Sequence, residues 1–171
     1  MKEERAKKIK LLIMDVDGVL TDGRIIYGDD GTEYKSFDVR DGHAIKLAKR
    51  AGLMTAIISG RSSKVVTRRG KELGIDLVYQ DIHKKIEVYE NILKETGLKD
   101  DEVAFMGDDL VDLPVLRRVG LAIAVEDALP EVKKEASYVT KTRGGRGAVR
   151  EAIEFILVSK GLWEEITKRY Y

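Results

Sequence analysis

The chain reads as an α/β protein, a Rossmann-like parallel sheet with helices on both faces and a β-hairpin inserted after the first strand. Three observations predict this. Apolar runs of strand length alternate with periodic runs of helix length along most of the chain. Several of the apolar runs stop on acidic residues, serine or glycine, as strands do where an open sheet keeps its ligands. One segment, Arg24–Asp38, breaks the alternation with two short strand-like runs around Gly28-Asp29-Asp30-Gly31, a hairpin signal.

Taken in order, Ile9, Leu11, Leu12, Ile13 and Met14 form a run apolar on both faces, expected of a central parallel strand. After the hairpin, Asp41 is a cap for a helix to about Arg50, with Gly52 as its stop. Leu53–Ser59 reads as a second buried strand, and Ser62 or Ser63 opens a helix from Lys64 to Leu73, closed by Gly74. Asp76–Tyr79 is a short strand. Lys85–Thr96 is an amphipathic helix ended by Gly97. Val103–Met106 is the next strand, followed by a helix from about Val111 to Val119 and a strand over Leu121–Val125. Pro130 opens a short helix, Tyr138–Thr140 is strand-like, and Gly144-Gly145-Arg146-Gly147 is a loop. The last helix covers Ala148 to about Val158, and Gly161 sets off a tail with Trp163, Tyr170 and Tyr171.

The 171 residues suit one domain, 1–171, with a proper core. Hydrophobic content of 43% and charged content of 36% exclude a disordered chain. A net charge of +1, from 31 basic and 30 acidic residues, gives no support to a nucleic-acid or membrane-surface role. The absence of cysteine excludes disulfides and thiolate metal sites. No apolar run approaches membrane-spanning length, and the one near the N-terminus is too short for a signal peptide, so the expected location is cytoplasmic.

The chemistry concentrates at strand ends. Asp15 and Asp17 sit two apart at the end of the first strand and, in an extended chain, point the same way. Two hard oxygen donors with no obvious local partner suit Mg²⁺. Ser59-Gly60-Arg61, Lys84/Lys85 and Gly107-Asp108-Asp109 follow later strands, and a parallel sheet brings such ends to one edge. Together they make a coherent phosphate site. One carboxylate attacks phosphorus, a second handles the proton, Mg²⁺ offsets charge, and a hydroxyl, backbone N–H groups and a lysine hold the remaining oxygens. His43 has no metal-ligand partner near it in sequence and reads as structural or as a peripheral substrate contact.

These motifs, DVDGVLTDG, ISGR, the lysine near position 85 and GDDLVD, resemble in order the four motifs of the haloacid dehalogenase superfamily. VDGVLTDG, YGDDGTEYKSFDVRDGH, AIISGRSS, GDDLVDLPVL and GGRGAVRE resemble more closely its 3-deoxy-D-manno-octulosonate 8-phosphate phosphatase family, from about Ile9 to Ile156. The resemblance implies a Mg²⁺-dependent phosphatase that releases phosphate from this eight-carbon sugar acid through an aspartyl-phosphate, in lipopolysaccharide precursor synthesis. It implies Asp15 as nucleophile and metal ligand, Asp17 as general acid/base with its backbone carbonyl on the metal, and Asp108 as third protein ligand. Ser59 and Gly60 are implied to bind phosphate with Lys85, whose spacing from Gln80 fits the family better than that of Lys84. Asp109 and Asp112 read as capping or supporting groups. Asp81 stands where the family has glycine, which leaves the path of that loop open.

The segments between Asp17 and Ser59 and between Ser59 and Lys85 leave no room for a helical cap domain. The resemblance implies that a homotetramer, assembled through the hairpin, shields the site instead. Arg61, Arg69, Arg143 and Arg146 are then candidates for the substrate carboxylate, some across an interface. The loop of Gly144, Gly145 and Gly147 reads equally as a flexible connection or an anion-binding loop. A nine-carbon keto acid phosphate of the sialic acid type is the alternative substrate. Relatives acting on it carry an acidic residue after the motif II glycine, where this chain has Arg61. A receiver-like phospho-acceptor domain is a further alternative, weakened by Asp17 beside the acceptor Asp15.

Overall fold

The computed structural model describes residues 2–171. Strands β1 (Leu11–Met14), β4 (Met54–Ile58), β5 (Leu77–Tyr79), β6 (Val103–Gly107), β7 (Leu121–Ala124) and β8 (Tyr138–Val139) form one parallel sheet in the order β5-β4-β1-β6-β7-β8. The four residues of β1 are fully buried, as a strand covered on both faces must be. Successive crossovers run outward from β1 on one side to β5, then return past β1 to β6 and continue to β8. Right-handed crossovers therefore put α2 (Val39–Arg50) and α3 (Lys64–Leu73) on one face and α4 (Lys85–Thr96), α5 (Leu113–Leu116) and α6 (Pro130–Glu135) on the other. α7 (Ala148–Ser159) packs on α2, and α1 (Lys2–Lys8) packs on α7.

The registers level the carboxyl ends. Met14 sits between Ile57 of β4 and Met106 of β6, so Asp15, Ser59 and Asp108 all leave the sheet at one edge. The direction of strand travel reverses about β1, which makes this edge the switch point where open sheets bind ligands. The hairpin is confirmed but slight: β2 (Ile26–Tyr27) pairs with β3 (Glu33–Tyr34) over two residues each. Among the described residues, a single turn over Val16–Leu20 is the one other element between β1 and α2.

Several element ends differ from the sequence reading. α2 starts three residues early because Asp38, not Asp41, caps it, accepting from the Arg40 N–H at 2.7 Å. Asp41 instead points across to α7, where its carboxylate accepts from the N–H groups of Gly147 at 3.3 Å and Arg150 at 2.7 Å. It caps a helix more than a hundred residues away, which no local pattern can report. The helix expected over 111–119 shortens to α5, because residues 110–112 make a tight turn around Asp109 and Asp112. Two helices lie where the sequence pattern is too short to announce them, α1 and α8 (Trp163–Thr167).

Asp41 is buried, and burial pushes its carboxyl up to about 6 despite the two N–H donors. Replacing it by alanine strands both donors at the start of α7. Asp41→Ala is expected to lower stability by about 1–3 kcal/mol, read from the midpoint of urea unfolding. A midpoint unchanged from wild type would show that the α2–α7 junction does not depend on this cap.

Candidate active site

The site is built on the end of β1. Asp15 leaves the strand in extended geometry, its N–H donating to the Met106 carbonyl at 3.0 Å. The chain then turns sharply through Asp17 and Gly18. Gly18 has φ +91°, and a Cβ there would lie 2.0 Å from Asp108 Oδ2. Glycine is required both by the left-handed backbone and by the approach of Asp108. A second glycine loop braces this turn from outside. A Cβ on Gly144 would fall 1.7 Å from the Gly18 carbonyl oxygen, and Gly145 N–H donates to the Val19 carbonyl at 2.9 Å. Of the two sequence readings of this loop, the flexible connection does not hold, since the loop is packed on the turn. Its glycines let backbone pack on backbone.

Three carboxylates gather at this edge, and two of them pair with one ammonium. Lys85 Nζ lies 2.9 Å from Asp15 Oδ1 and 2.7 Å from Asp112 Oδ1. Asp15, Asp108 and Asp112 each present an oxygen within 4.8 Å of the others. Asp112 is fully buried, and its other oxygen accepts from the N–H groups of Asp108 at 3.0 Å and Asp109 at 3.3 Å, so it orients the loop after β6. Asp109 turns outward and caps the next turn through Leu110 N–H. Lys84 is exposed and pairs with Glu87, so of the two lysines only Lys85 enters the cluster.

The electrostatics are unbalanced. Burial pushes the Asp15 carboxyl up, with Lys85 pulling it down and Asp112 pushing it further up. Burial, and then the charges of Asp15 and Asp112, push Asp108 up to about 8. Burial alone would pull the Lys85 ammonium down, but Asp15 and Asp112 outweigh it. Asp108 Oδ1 is buried and has no hydrogen-bond partner. An all-oxygen donor set with excess negative charge and an unused buried oxygen fits a hard divalent cation such as Mg²⁺.

The phosphate side is contributed by β4. Ser59 is buried, and its Oγ accepts from Arg61 N–H at 3.3 Å. The loop after β5 is stitched over this turn by Ile82 N–H to the Ser59 carbonyl at 3.1 Å, and Gly60 lies beneath the Ile82 carbonyl. Asp81 takes φ +60°, the conformation a glycine adopts without cost and an aspartate tolerates. The departure from the family's glycine therefore leaves the loop path intact.

The four arginines separate. Arg61 reaches toward Asp17, its Nε 3.9 Å from Asp17 Oδ2, and donates to the Tyr27 hydroxyl at 3.0 Å. Arg69 packs over the Phe37 ring with its Nη1 3.6 Å from Glu72. Arg143 pairs with Glu126 and Asp127, and Arg146 with Asp22. Thus one arginine adjoins the Asp17 carboxylate, and the other three are held by other acids. Two charged residues that sequence reasoning passed over also lie here: Lys35 pairs with Asp17, and Glu33 pairs with Lys35. Their alternation about Tyr34 in the hairpin is the signal that could have found them.

A profile for haloacid dehalogenase-like hydrolases matches residues 75–153. The Escherichia coli K12 3-deoxy-D-manno-octulosonate 8-phosphate phosphatase KdsC is 45% identical over 161 residues, covering 94% of this chain and 86% of the relative. The chain belongs to this phosphatase family. Two solved structures of similar proteins agree in fold. A probable YrbI family phosphatase from Pseudomonas syringae matches with a TM-score of 0.97 and 46% identity, over 98% of this chain and 96% of its own. The family member from Moraxella catarrhalis, solved with a magnesium ion, a phosphate ion and a KDO molecule, matches with a TM-score of 0.97 and 40% identity, over 99% and 97%.

A divalent cation at the cluster has a measurable signature. Asp108 titrates in the folded chain near 8 against an ordinary 3.8, so its stabilising contribution is complete below the ordinary value and is lost as pH rises through about 8. Cation binding requires the charged carboxylates and removes that loss. Mg²⁺ is expected to raise Tm more at about pH 8.5 than at about pH 5.5, measured by calorimetry. A pH-independent shift would place the cation elsewhere.

Proposed function

We propose that this chain is a Mg²⁺-dependent phosphatase that converts 3-deoxy-D-manno-octulosonate 8-phosphate and water to 3-deoxy-D-manno-octulosonate and phosphate in lipopolysaccharide precursor synthesis. The observation that carries this reading is the convergence of Asp15, Ser59, Lys85 and Asp108 at the end of β1, in a chain whose Moraxella catarrhalis relative holds magnesium, phosphate and the sugar product.

Asp15 is the nucleophile. Its carboxylate oxygen bonds to phosphorus while the bond from phosphorus to the sugar oxygen breaks. The leaving oxygen takes a proton from the Asp17 carboxyl, so the sugar departs as an alcohol and Asp17 is left as carboxylate. Asp17 then accepts a proton from the water that attacks phosphorus, and the Asp15–phosphorus bond breaks to release phosphate. Lys85 and the Ser59–Gly60 turn hold the phosphate oxygens during both steps. Asp15, Asp108 and the Asp17 backbone carbonyl would hold the metal, which supplies charge neutralisation between anionic nucleophile and anionic phosphate. Asp112 keeps Lys85 and the Asp108 loop in place.

Arg61 beside Asp17 supports the eight-carbon substrate over a nine-carbon one. It stands at the mouth of the site, where it can take the sugar's carboxylate. Arg69, Arg143 and Arg146 remain further candidates for the sugar's carboxylate, from their own or a neighbouring subunit. The hairpin leaves Ile25, Ile26, Tyr27 and Tyr34 exposed, and this apolar surface supports a homotetramer assembled through it. Among the described residues no helix is long and apolar enough to cross a membrane. A cytoplasmic location is part of the same reading.

A phosphate-release assay over sugar phosphates, with and without Mg²⁺, tests the function. Turnover should require the metal and favour the eight-carbon substrate. Asp15→Asn should reduce release to background, and Asp17→Asn should lower kcat by about 10²–10⁴-fold. A stable phosphoenzyme without turnover in the wild type would instead favour the receiver-like alternative.

A further inference from the structure

The hairpin sends two charged side chains inward, and neither has a role in the scheme above. Glu33 and Lys35 flank the exposed Tyr34, so strand alternation turns both toward the site while Tyr34 faces out. The Lys35 side chain is 1% exposed. Its Nζ donates to Asp17 Oδ1 and lies 3.3 Å from Glu33 Oε1. Glu33 Oε1 in turn accepts from Arg61 Nη2 at 3.4 Å. Arg61 Nε sits 3.9 Å from Asp17 Oδ2, beyond hydrogen-bond reach, and makes no hydrogen bond of its own. Asp17 therefore has one oxygen engaged by Lys35 and one oxygen without a donor.

Hairpin anchoring alone does not explain a buried ammonium here. Taking charges out of water is costly, and apolar side chains in place of the whole Lys35–Glu33 pair would fill such a space with equal or better stability. What an apolar side chain cannot do is tell the two Asp17 oxygens apart. We propose that Lys35 is a positioning residue for the phosphatase reaction: it pins Asp17 through Oδ1 and leaves Oδ2 as the oxygen that carries the proton to and from the reacting groups. Glu33 holds Lys35 at that position, and Tyr27 and Glu33 together hold Arg61 clear of Oδ2. The hairpin thus aims the general acid of its own chain, apart from any part it has in assembly.

This inference rests on the phosphatase reading, and its test separates the two. kcat/KM reports the steps through departure of the leaving group. The sugar 8-phosphate is an alkyl ester whose alkoxide needs a proton, whereas p-nitrophenolate leaves without one. Lys35→Met keeps the side-chain length and removes the charge. It is expected to lower kcat/KM about a hundredfold on 3-deoxy-D-manno-octulosonate 8-phosphate and less than about tenfold on p-nitrophenyl phosphate. The double variant E33Q/K35M removes one charge of each sign and keeps the charge sum of the cluster. It covers the case in which Lys35→Met alone unfolds, with rates read per folded protein, and it should show the same split. Equal losses on both substrates, or no loss on either, would overturn the role of Lys35 and leave the phosphatase standing. A wild-type protein that releases phosphate from neither substrate would remove both.

Discussion

Buried like-charge crowding at the end of β1 is the constraint on which the rest depends. Asp15, Asp108 and Asp112 crowd together with one ammonium, Lys85, which pairs with Asp15 and Asp112 only, in a place largely closed to water. Such a cluster is unfavourable for folding, since burial and mutual repulsion both act against the ionised forms. It persists because the surrounding sheet over-determines it. β1, β4 and β6 are locked in register, and the loops after them have no freedom to separate the acids. The core stabilises an arrangement that is useful only once a cation and a phosphate enter.

The close approach of loops follows from the same constraint. Asp108 packs against Gly18, the GGRG loop packs against the Gly18 carbonyl, and Asp41 ties the helix after that loop to α2. This chain of contacts runs from the turn after β1 to a helix on the sheet's face with no side chain in the tightest contact, Gly144 on Gly18. Glycine serves there as absence of bulk, and the arginines beside the glycines, Arg143 and Arg146, turn away to acids of their own.

In place of a cap domain, the chain has a hairpin of two-residue strands. Too small to exclude water, it reaches Asp17 through Lys35 and Glu33 and presents its apolar side to the outside. Its inward face is polar and precise in reach; its outward face is apolar and suited to another protein surface.

The sheet, the order of its elements and the line of acids at its edge were legible in the sequence, because each depends on local periodicity. A strand buried on both faces must be apolar throughout, as Leu11–Met14 is, and a helix must repeat its apolar face every turn. The motif residues Asp15, Asp17, Ser59, Lys85 and Asp108 were legible because they sit where those periodicities stop. Tertiary structure alone decided the rest. Asp41 looks like a cap for its own helix and serves another, because a carboxylate satisfies whichever N–H groups come within reach. Arg61 was separated from Arg69, Arg143 and Arg146 by the acids each one meets. Lys35 reads as a surface lysine of a hairpin, and only the fold of that hairpin back onto β1 puts its charge on Asp17. Periodicity records which face of an element is covered, but it carries no information about which charged groups from distant segments will share a site.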